Sequence, residues 1–250
     1  MSEIVQIYRY PVKGLSGNLL EEVDLQVGKG IPFDRAYALA HKEVEFDPNN
    51  PQYLSKSNFL MLMRNNNLAQ LETTFVDEGE QLIIEKDGET LLDVHLQDEN
   101  DQKKINKFFE DFMEGKTRGG IKIVMAEGHM FADIPDQNLS IINHDSIVDF
   151  EEKTGLSANP LRFRGNIYIK GLGAWNEFDL VGKEFQIGGV HLKAIKRTTR
   201  CAATCVNPST AEIDMNIPLK LRKTYGHDDM GIYADVIQKG TIKLGDQVIV

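Results

Sequence analysis

The densest set of reactive side chains lies between Lys196 and Pro208. This segment holds both cysteines of the chain, Cys201 and Cys205, together with Lys196, Arg197 and Arg200 and the hydroxyls of Thr198, Thr199 and Thr204. A lone cysteine in a protein is most often a small buried hydrophobe. Cations beside a thiol favour its thiolate, the form that attacks electrophiles and binds metals, and a structural cysteine gains nothing from such neighbours. Cys201 is therefore a candidate nucleophile or metal ligand. The C-x3-C spacing to Cys205 is weak grounds for zinc, which needs four ligands. The six histidines of the chain show no metal-binding spacing. A second thiol also suits sulfur exchange through a persulfide, with Cys205 as the resolving group.

Further cations sit elsewhere. Lys13 lies in a turn, Arg35 precedes a strand, and Arg162 and Arg164 precede another. Singly, each reads as a surface ion pair of little worth. Converging with Lys196, Arg197 and Arg200, they would suit an anion, since guanidinium groups grip phosphate in bidentate fashion. The chain has no Walker A motif, no G-x-G-x-x-G after a strand, no G-x-S-x-G and no H-E-x-x-H. Nucleotide hydrolysis, Rossmann binding, serine hydrolase and zincin chemistry are thus unsupported. Glu21-Glu22, Glu151-Glu152 and Asp228-Asp229 read as solvated faces.

Strands must carry most of these residues. Ile4 to Val12 is rich in β-branched and aromatic residues, and Val23, Leu25 and Val27 alternate with polar residues at strand period. Ala36 to Ala40 is apolar enough to be covered on both faces. Leu60 to Met63 could start a short helix, with Leu68, Leu71 and Phe75 continuing into a strand. Hairpins are expected around Asp87-Gly88 and Gly188-Gly189. Ile121 to Met125, Leu139 to Ile142, Ile167 with Ile169, Gly231 to Ile237 and Thr241 to Val250 complete the strands. The clearest helix is Asp98 to Glu114, where Ile105, Phe108, Phe109, Phe112 and Met113 form one apolar stripe. Asn143 should cap a second helix that ends at Gly155, and a third is expected near Leu219 to Tyr225. Strands running mostly as hairpins point to an all-β or β-rich barrel with a few helices.

Across 250 residues the net charge is −10, which opposes binding to nucleic acid or to anionic membranes. Two cysteines exclude a disulfide scaffold. The N-terminus lacks the basic and apolar regions of a signal peptide, and no apolar run nears the ~18 residues of a membrane span. A soluble cytoplasmic protein is expected.

Six short segments, in order, resemble MOSC proteins that carry an N-terminal MOSC β-barrel, the group containing the molybdenum cofactor sulfurase C-terminal domain and the mitochondrial amidoxime-reducing component. Tyr10-Pro11-Val12-Lys13 resembles the opening Y-P-(V/I)-K turn, and Asp34-Arg35 the D-R before a strand. Phe131-Ala132-Asp133 with Leu139 to Ile142 resembles F-x-D and its following strand. Arg162 to Ile167 resembles R-F-R-P-N-(I/V), and Thr199 to Pro208 resembles (S/T)-R-C-x-x-T-x-V-D-P. Gly231-Ile232-Tyr233-Ala234, with Gly240, Gly245, Asp246 and Val248, resembles the closing stretch.

The resemblance implies a β-rich α+β fold, with an N-terminal β-barrel-like domain over 1–118 followed by a MOSC β-barrel with a few helices over 119–250. A boundary near Lys116 to Gly120 fits the change to glycine and cations there. It implies a molybdenum cofactor (Mo-molybdopterin), with Cys201 as metal ligand and catalytic residue. Lys13, Arg35, Arg164 and Asn166 would hold the pterin and its phosphate, with Thr199 and Arg200 beside them. It also attaches pyridoxal phosphate binding as an expectation. The activity implied is reduction of N-hydroxylated or N-oxide-type small molecules. Electrons would come from a separate protein, reductase or ferredoxin-like, since the chain has no four-cysteine pattern and no flavin fingerprint. The alternative is a sulfur-carrier or cofactor-carrier module using a persulfide on Cys201. Because Lys13 and Arg35 lie far in sequence from Cys201, the two domains are expected to share one pocket. Four positions depart from the pattern: Gly165 for Pro, Cys205 for a residue commonly Thr, Asn207 for Asp and Ala211 for Gly.

Overall fold

The computed structural model describes residues 1–76, 80–115, 117 and 119–250. Lys116 and Arg118, in the expected boundary segment, fall outside them. The first strands are β1 (Glu3–Arg9), β2 (Asn18–Leu20), β3 (Glu22–Leu25) and β4 (Tyr37–His41). A hairpin set follows, β5 (Glu72–Val76), β6 (Gln81–Lys86) and β7 (Glu89–His95), and then helix α1 (Glu99–Phe112) and β8 (Ile121–Met125). The remainder is β9 (Leu139–Asn143), α2 (His144–Thr154), β10 (Ile167–Lys170), β11 (Glu184–Ile187), β12 (Val190–Thr199), α3 (Ile217–Tyr225), β13 (Asp229–Gln238), β14 (Gly240–Lys243) and β15 (Val248–Ile249).

The helices start and stop where their side chains dictate. Asp98 caps α1 by accepting from the backbone N–H groups of Asn100 and Asp101. The stripe of Ile105, Phe109 and Met113 is fully buried, with Phe108 and Phe112 packed against the same core. Asn143 caps α2 by accepting from Asp145 N–H, and Gly155 ends it in the left-handed conformation at φ 68°.

One eight-stranded sheet runs in the order β15-β11-β12-β13-β9-β10-β1-β2. Its hairpin β11–β12 turns at Gly188-Gly189 as expected, but the sheet is not built mostly of hairpins. Strands β9 and β10 run parallel, with Ile167 opposite Ile141. Parallel neighbours need a crossover, and α2 with the following 3-10 turn supplies it. Strand β1 pairs antiparallel with β10, so residues from the N-terminal segment complete a sheet otherwise made from the C-terminal one. The reverse also holds, because β14 pairs with β3. The sheets β4–β8 and β5–β6–β7 pack with α1 around a second core.

Two expectations at element level change. Leu60 and Met61 are buried in irregular backbone ahead of a turn at 62–64, not in a helix, and the 3-10 segment Asn66–Gln70 precedes β5. The expected last strand from Thr241 to Val250 is two strands with different partners, β14 on β3 and β15 on β11. It breaks at Gly245, which takes φ 84°. Among the described residues no helix is long and apolar enough to cross a membrane.

Candidate functional site

Strand β12 delivers the reactive segment to a cavity. Its last residue, Thr199, lies opposite Asp229 of β13, and Arg200 N–H donates to the Asp228 carbonyl at 2.8 Å. The chain then leaves the sheet into a 3-10 turn, Ala202–Cys205. Thr204 closes that turn on Cys201, its N–H and Oγ1 both donating to the Cys201 carbonyl at 3.1 and 2.9 Å. Cys201 is half-buried on the wall of a solvent-open cavity.

Lys13, Arg35, Arg164, Asn166, Thr199, Arg200 and Cys201 all line this cavity. The expected single pocket therefore exists, formed by loops from both ends of the chain. Their side chains are not equivalent within it.

Arg200 is almost wholly buried and committed to the fold. Its Nε and Nη2 donate to the Met230 carbonyl, the former at 2.8 Å, and its Nη1 donates to the Phe163 carbonyl at 2.9 Å. Asn166 is buried too. Its Oδ1 accepts from Ser140 N–H at 3.1 Å and from Arg35 Nη1 at 3.3 Å, and its Nδ2 donates to the Tyr8 carbonyl at 3.1 Å. Thr199 Oγ1 donates to Asp229 at 2.7 Å. All three shape the wall, with their polar atoms already partnered inside the chain.

Lys13 and Arg35 are cations with carboxylate partners. Lys13 Nζ donates to the Phe131 carbonyl at 2.9 Å and to Asp133 at 2.5 Å. Burial lowers the Lys13 pKa even though Asp133 opposes the shift. Burial works against the Asp133 carboxylate as well, but Lys13 outweighs it, and the Asp133 pKa falls below its usual value. Arg35 pairs with buried Asp34, whose other oxygen accepts from Tyr10 N–H at 2.8 Å. Arg35 Nη2 also donates to the Arg164 carbonyl at 2.9 Å.

Arg164 differs from both. Its guanidinium lies 4.4 Å from the centroid of the Tyr10 ring, which Arg35 also approaches at 4.7 Å. Among the described residues its guanidinium makes a cation–π contact and no hydrogen bond or ion pair with a protein acceptor. Burial, with Arg35 nearby adding to it, pulls its pKa down from the usual guanidinium value. Both arginines adopt left-handed backbone, φ 49° at Arg35 and φ 50° at Arg164. L-residues avoid that region, and such positions cluster where a ligand is gripped.

Two of the departures from the motif, Gly165 and Asn207, have local reasons; nothing in the structure explains Cys205 or Ala211. Gly165 N–H donates to Tyr168 Oη at 3.1 Å, which a proline could not do, and a Cβ at 165 would run into the Ile142 side chain. Asn207 Nδ2 donates to Asp214 at 2.7 Å. Ala211 takes φ 60°, the backbone that favours glycine. Cys205 is 5% exposed, does not line the cavity, and its pKa is raised by burial. Residues without an expected role also belong to the site. Tyr10 and Asp34 orient the two arginines, and Asp133 neutralises Lys13. The adjacency of Asp34 to Arg35 was the sequence signal for one of these; the ring under two cations left none.

Comparison with known proteins agrees with this architecture. Residues 1–126 match the family model of the MOSC N-terminal beta barrel domain, and residues 93–249 match that of the MOSC domain. The mitochondrial amidoxime-reducing component 1 of Mus musculus is 28% identical over 152 residues, 56% of this chain and 44% of that protein. The molybdenum cofactor sulfurase of Caenorhabditis elegans is 22% identical over 251 residues, 92% of this chain and 33% of that protein. The chain thus spans less than half the length of these curated relatives. The crystal structure of the YUAD protein from Bacillus subtilis aligns over 99% of this chain and 94% of its own, at TM-score 0.46 and 12% identity.

Proposed function

The chain belongs to the MOSC family, and from that premise we propose that its cavity holds a molybdenum–pterin cofactor and reduces N-hydroxylated or N-oxide-type small molecules. One observation carries the reading: a thiol, Cys201, and a guanidinium without a hydrogen-bonded partner among the described residues, Arg164, lie on the wall of one cavity. A soft thiolate and a half-buried cation are the two donors such a group requires, one for the metal and one for a phosphate. Residues and group therefore fit.

Cys201 is the proposed thiolate ligand, and Arg164 the proposed phosphate contact. Lys13 and Arg35 add positive field, each already balanced by its own carboxylate. Arg200, Asn166 and Thr199 keep the wall in shape. When bound, the group supplies two-electron oxygen-atom removal. The protein positions it and offsets its negative charge. With two cysteines the chain cannot build a four-cysteine iron–sulfur centre. A separate reductase or ferredoxin-like protein is the proposed electron donor.

The carrier reading, with a persulfide on Cys201, is weakened because Cys205 is sealed away from the cavity and cannot serve there as a resolving thiol. We assign no pyridoxal phosphate to this cavity, because its buried amine, Lys13, is held by Asp133 and the Phe131 carbonyl. Both cysteines are free thiols, which suits the cytoplasm as the proposed compartment.

Metal analysis of protein made in a cofactor-competent host, with pterin fluorescence after oxidation, tests the reading. Stoichiometric molybdenum that is absent from Cys201→Ala, with turnover of an N-hydroxylated amidine, is expected. Absence of molybdenum from the unaltered protein would overturn it, and cyanide-labile sulfur without metal would favour the carrier.

A further inference from the structure

Buried guanidiniums hold the backbone on both sides of Cys201. Arg200 secures the preceding side, and the following side is secured by Arg162, to which the reading above gives no role. Arg162 lies in the 3-10 turn Pro160–Phe163, and its side chain is 1% exposed. Its Nη2 donates to both carboxylate oxygens of Asp214 at 2.7 Å. Its Nη1 donates to the Cys205 carbonyl at 3.1 Å and to the Thr204 carbonyl at 3.4 Å. Thr204 in turn closes on the Cys201 carbonyl. Asn207, beyond the turn, donates to the same Asp214 at 2.7 Å, while its Oδ1 accepts from Ser209 N–H at 2.9 Å.

A four-residue 3-10 turn holds few bonds of its own, and their geometry is poor. The turn Ala202–Cys205 has no side-chain cap. Its conformation must come from what surrounds it, and it packs against α3 and the Pro160–Phe163 turn. The Arg162–Asp214 ion pair, one guanidinium nitrogen shared between both carboxylate oxygens, is the charge-assisted contact available there.

We propose that Arg162, Asp214 and Asn207 are positioning residues for Cys201, a clamp that sets the Ala202–Cys205 turn so that Cys201 stays on the cavity wall and Cys205 stays sealed. The inference rests on the reading of Cys201 as the ligand-bearing residue. The clamp touches neither cofactor nor substrate; it acts through the backbone carbonyls of Thr204 and Cys205. One carboxylate serves two donors, Arg162 Nη2 and Asn207 Nδ2, so a carboxylate at 207 facing an amide at 214 would keep a negative charge one hydrogen bond away from the guanidinium.

The test uses the full chain without metal, treated with iodoacetamide and followed cysteine by cysteine by mass spectrometry. In the unaltered protein Cys201 reacts and Cys205 is protected. Asp214→Asn, at a side chain 31% exposed and so mild for folding, is expected to raise the Cys205 rate at least about tenfold. The double variant Asn207→Asp/Asp214→Asn returns one carboxylate to the pair and should restore the rate to within about threefold. A general loss of packing would not be rescued by exchanging the two side chains. Unchanged protection in Asp214→Asn, or no rescue in the double variant, overturns the clamp. In metal-loaded protein, Asp214→Asn should lower kcat with little change in KM; an unaltered kcat and full metal content would also overturn it. Alkylation needs no cofactor, so if the molybdenum reading fails, the rates alone decide the clamp.

Discussion

Replacing Arg164 and Arg200 separately should have opposite signatures, although both are arginines on one cavity wall. Arg200 gives three N–H donors to the carbonyls of Met230 and Phe163, residues at most 2% exposed. Arg200→Gln leaves at least one of these buried acceptors unpaired, at about 1–3 kcal/mol for each. A loss of about 2–5 kcal/mol follows, or roughly 5–15 °C in Tm for a chain of this size. Arg164→Gly removes a cation–π contact worth about 0.5–2 kcal/mol and adds glycine's backbone entropy, about 0.5–1 kcal/mol. It also relieves left-handed backbone at φ 50°, worth about 1–2 kcal/mol, and separates two cations that share the Tyr10 ring. These terms nearly cancel, so Tm should stay within about 4 °C of the unaltered protein. Binding should behave the other way. Loss of a charge-assisted hydrogen bond costs about 1.5–3 kcal/mol, which weakens an anion roughly 10- to 150-fold. Calorimetric titration of metal-free protein with pyrophosphate, beside thermal melts, measures both. An Arg164→Gly protein that melts as low as Arg200→Gln, or that binds pyrophosphate unchanged, would refute the division of labour between the two arginines.

Further outcomes follow from the same contacts. If the proposed cofactor is bound, Cys201→Ser should fold normally and contain no molybdenum, whereas Cys205→Ala should contain as much as the unaltered protein and lose about 1 kcal/mol of stability from the buried sulfur; metal content and denaturant midpoints separate the two. Gly165→Pro, although it matches the family motif, should destabilise by about 1–3 kcal/mol through the collision with Ile142 and the lost donor to Tyr168, visible as a lower Tm. The Asp133 pKa is depressed in the folded chain, so its contribution to stability is present above the ordinary carboxylate range and lost as pH falls through its folded value. The drop in denaturant midpoint from pH 7 to about pH 3 should therefore be smaller in Asp133→Asn.

The sequence revealed what depends on neighbours along the chain. Asp98 and Asn143 announce their helices because a cap and an apolar stripe are local features, and the turns at Asp87-Gly88 and Gly188-Gly189 mark their hairpins for the same reason. The parallel contact of β9 with β10 and the pairing of β3 with β14 leave no such mark, since the partners are distant; Thr241 bonds to Asp24 across 217 positions. The residues named from the motif segments line one cavity, but residue type does not say which contacts a polar head makes. Arg164 and Arg200 look alike in sequence. One stacks on the Tyr10 ring, and the other is drawn inward by two carbonyls. Arg162 stood among the candidate cations but was left out of the site, because its partners, Asp214 and two backbone carbonyls, form a set only the folded chain defines.

The interleaving of early and late strands sets a timetable for synthesis. Strand β1 meets β10 only after residue 167 has been made, and β3 meets β14 only after residue 240. Until then β1 and β3 lack those edge partners, a state prone to pairing with other chains. Tyr233, on the cavity wall, also arrives late. The cavity is thus among the later parts of the molecule to form, since its wall needs residues from both early and late segments. Neither the first nor the second half, made alone, would contain the complete site.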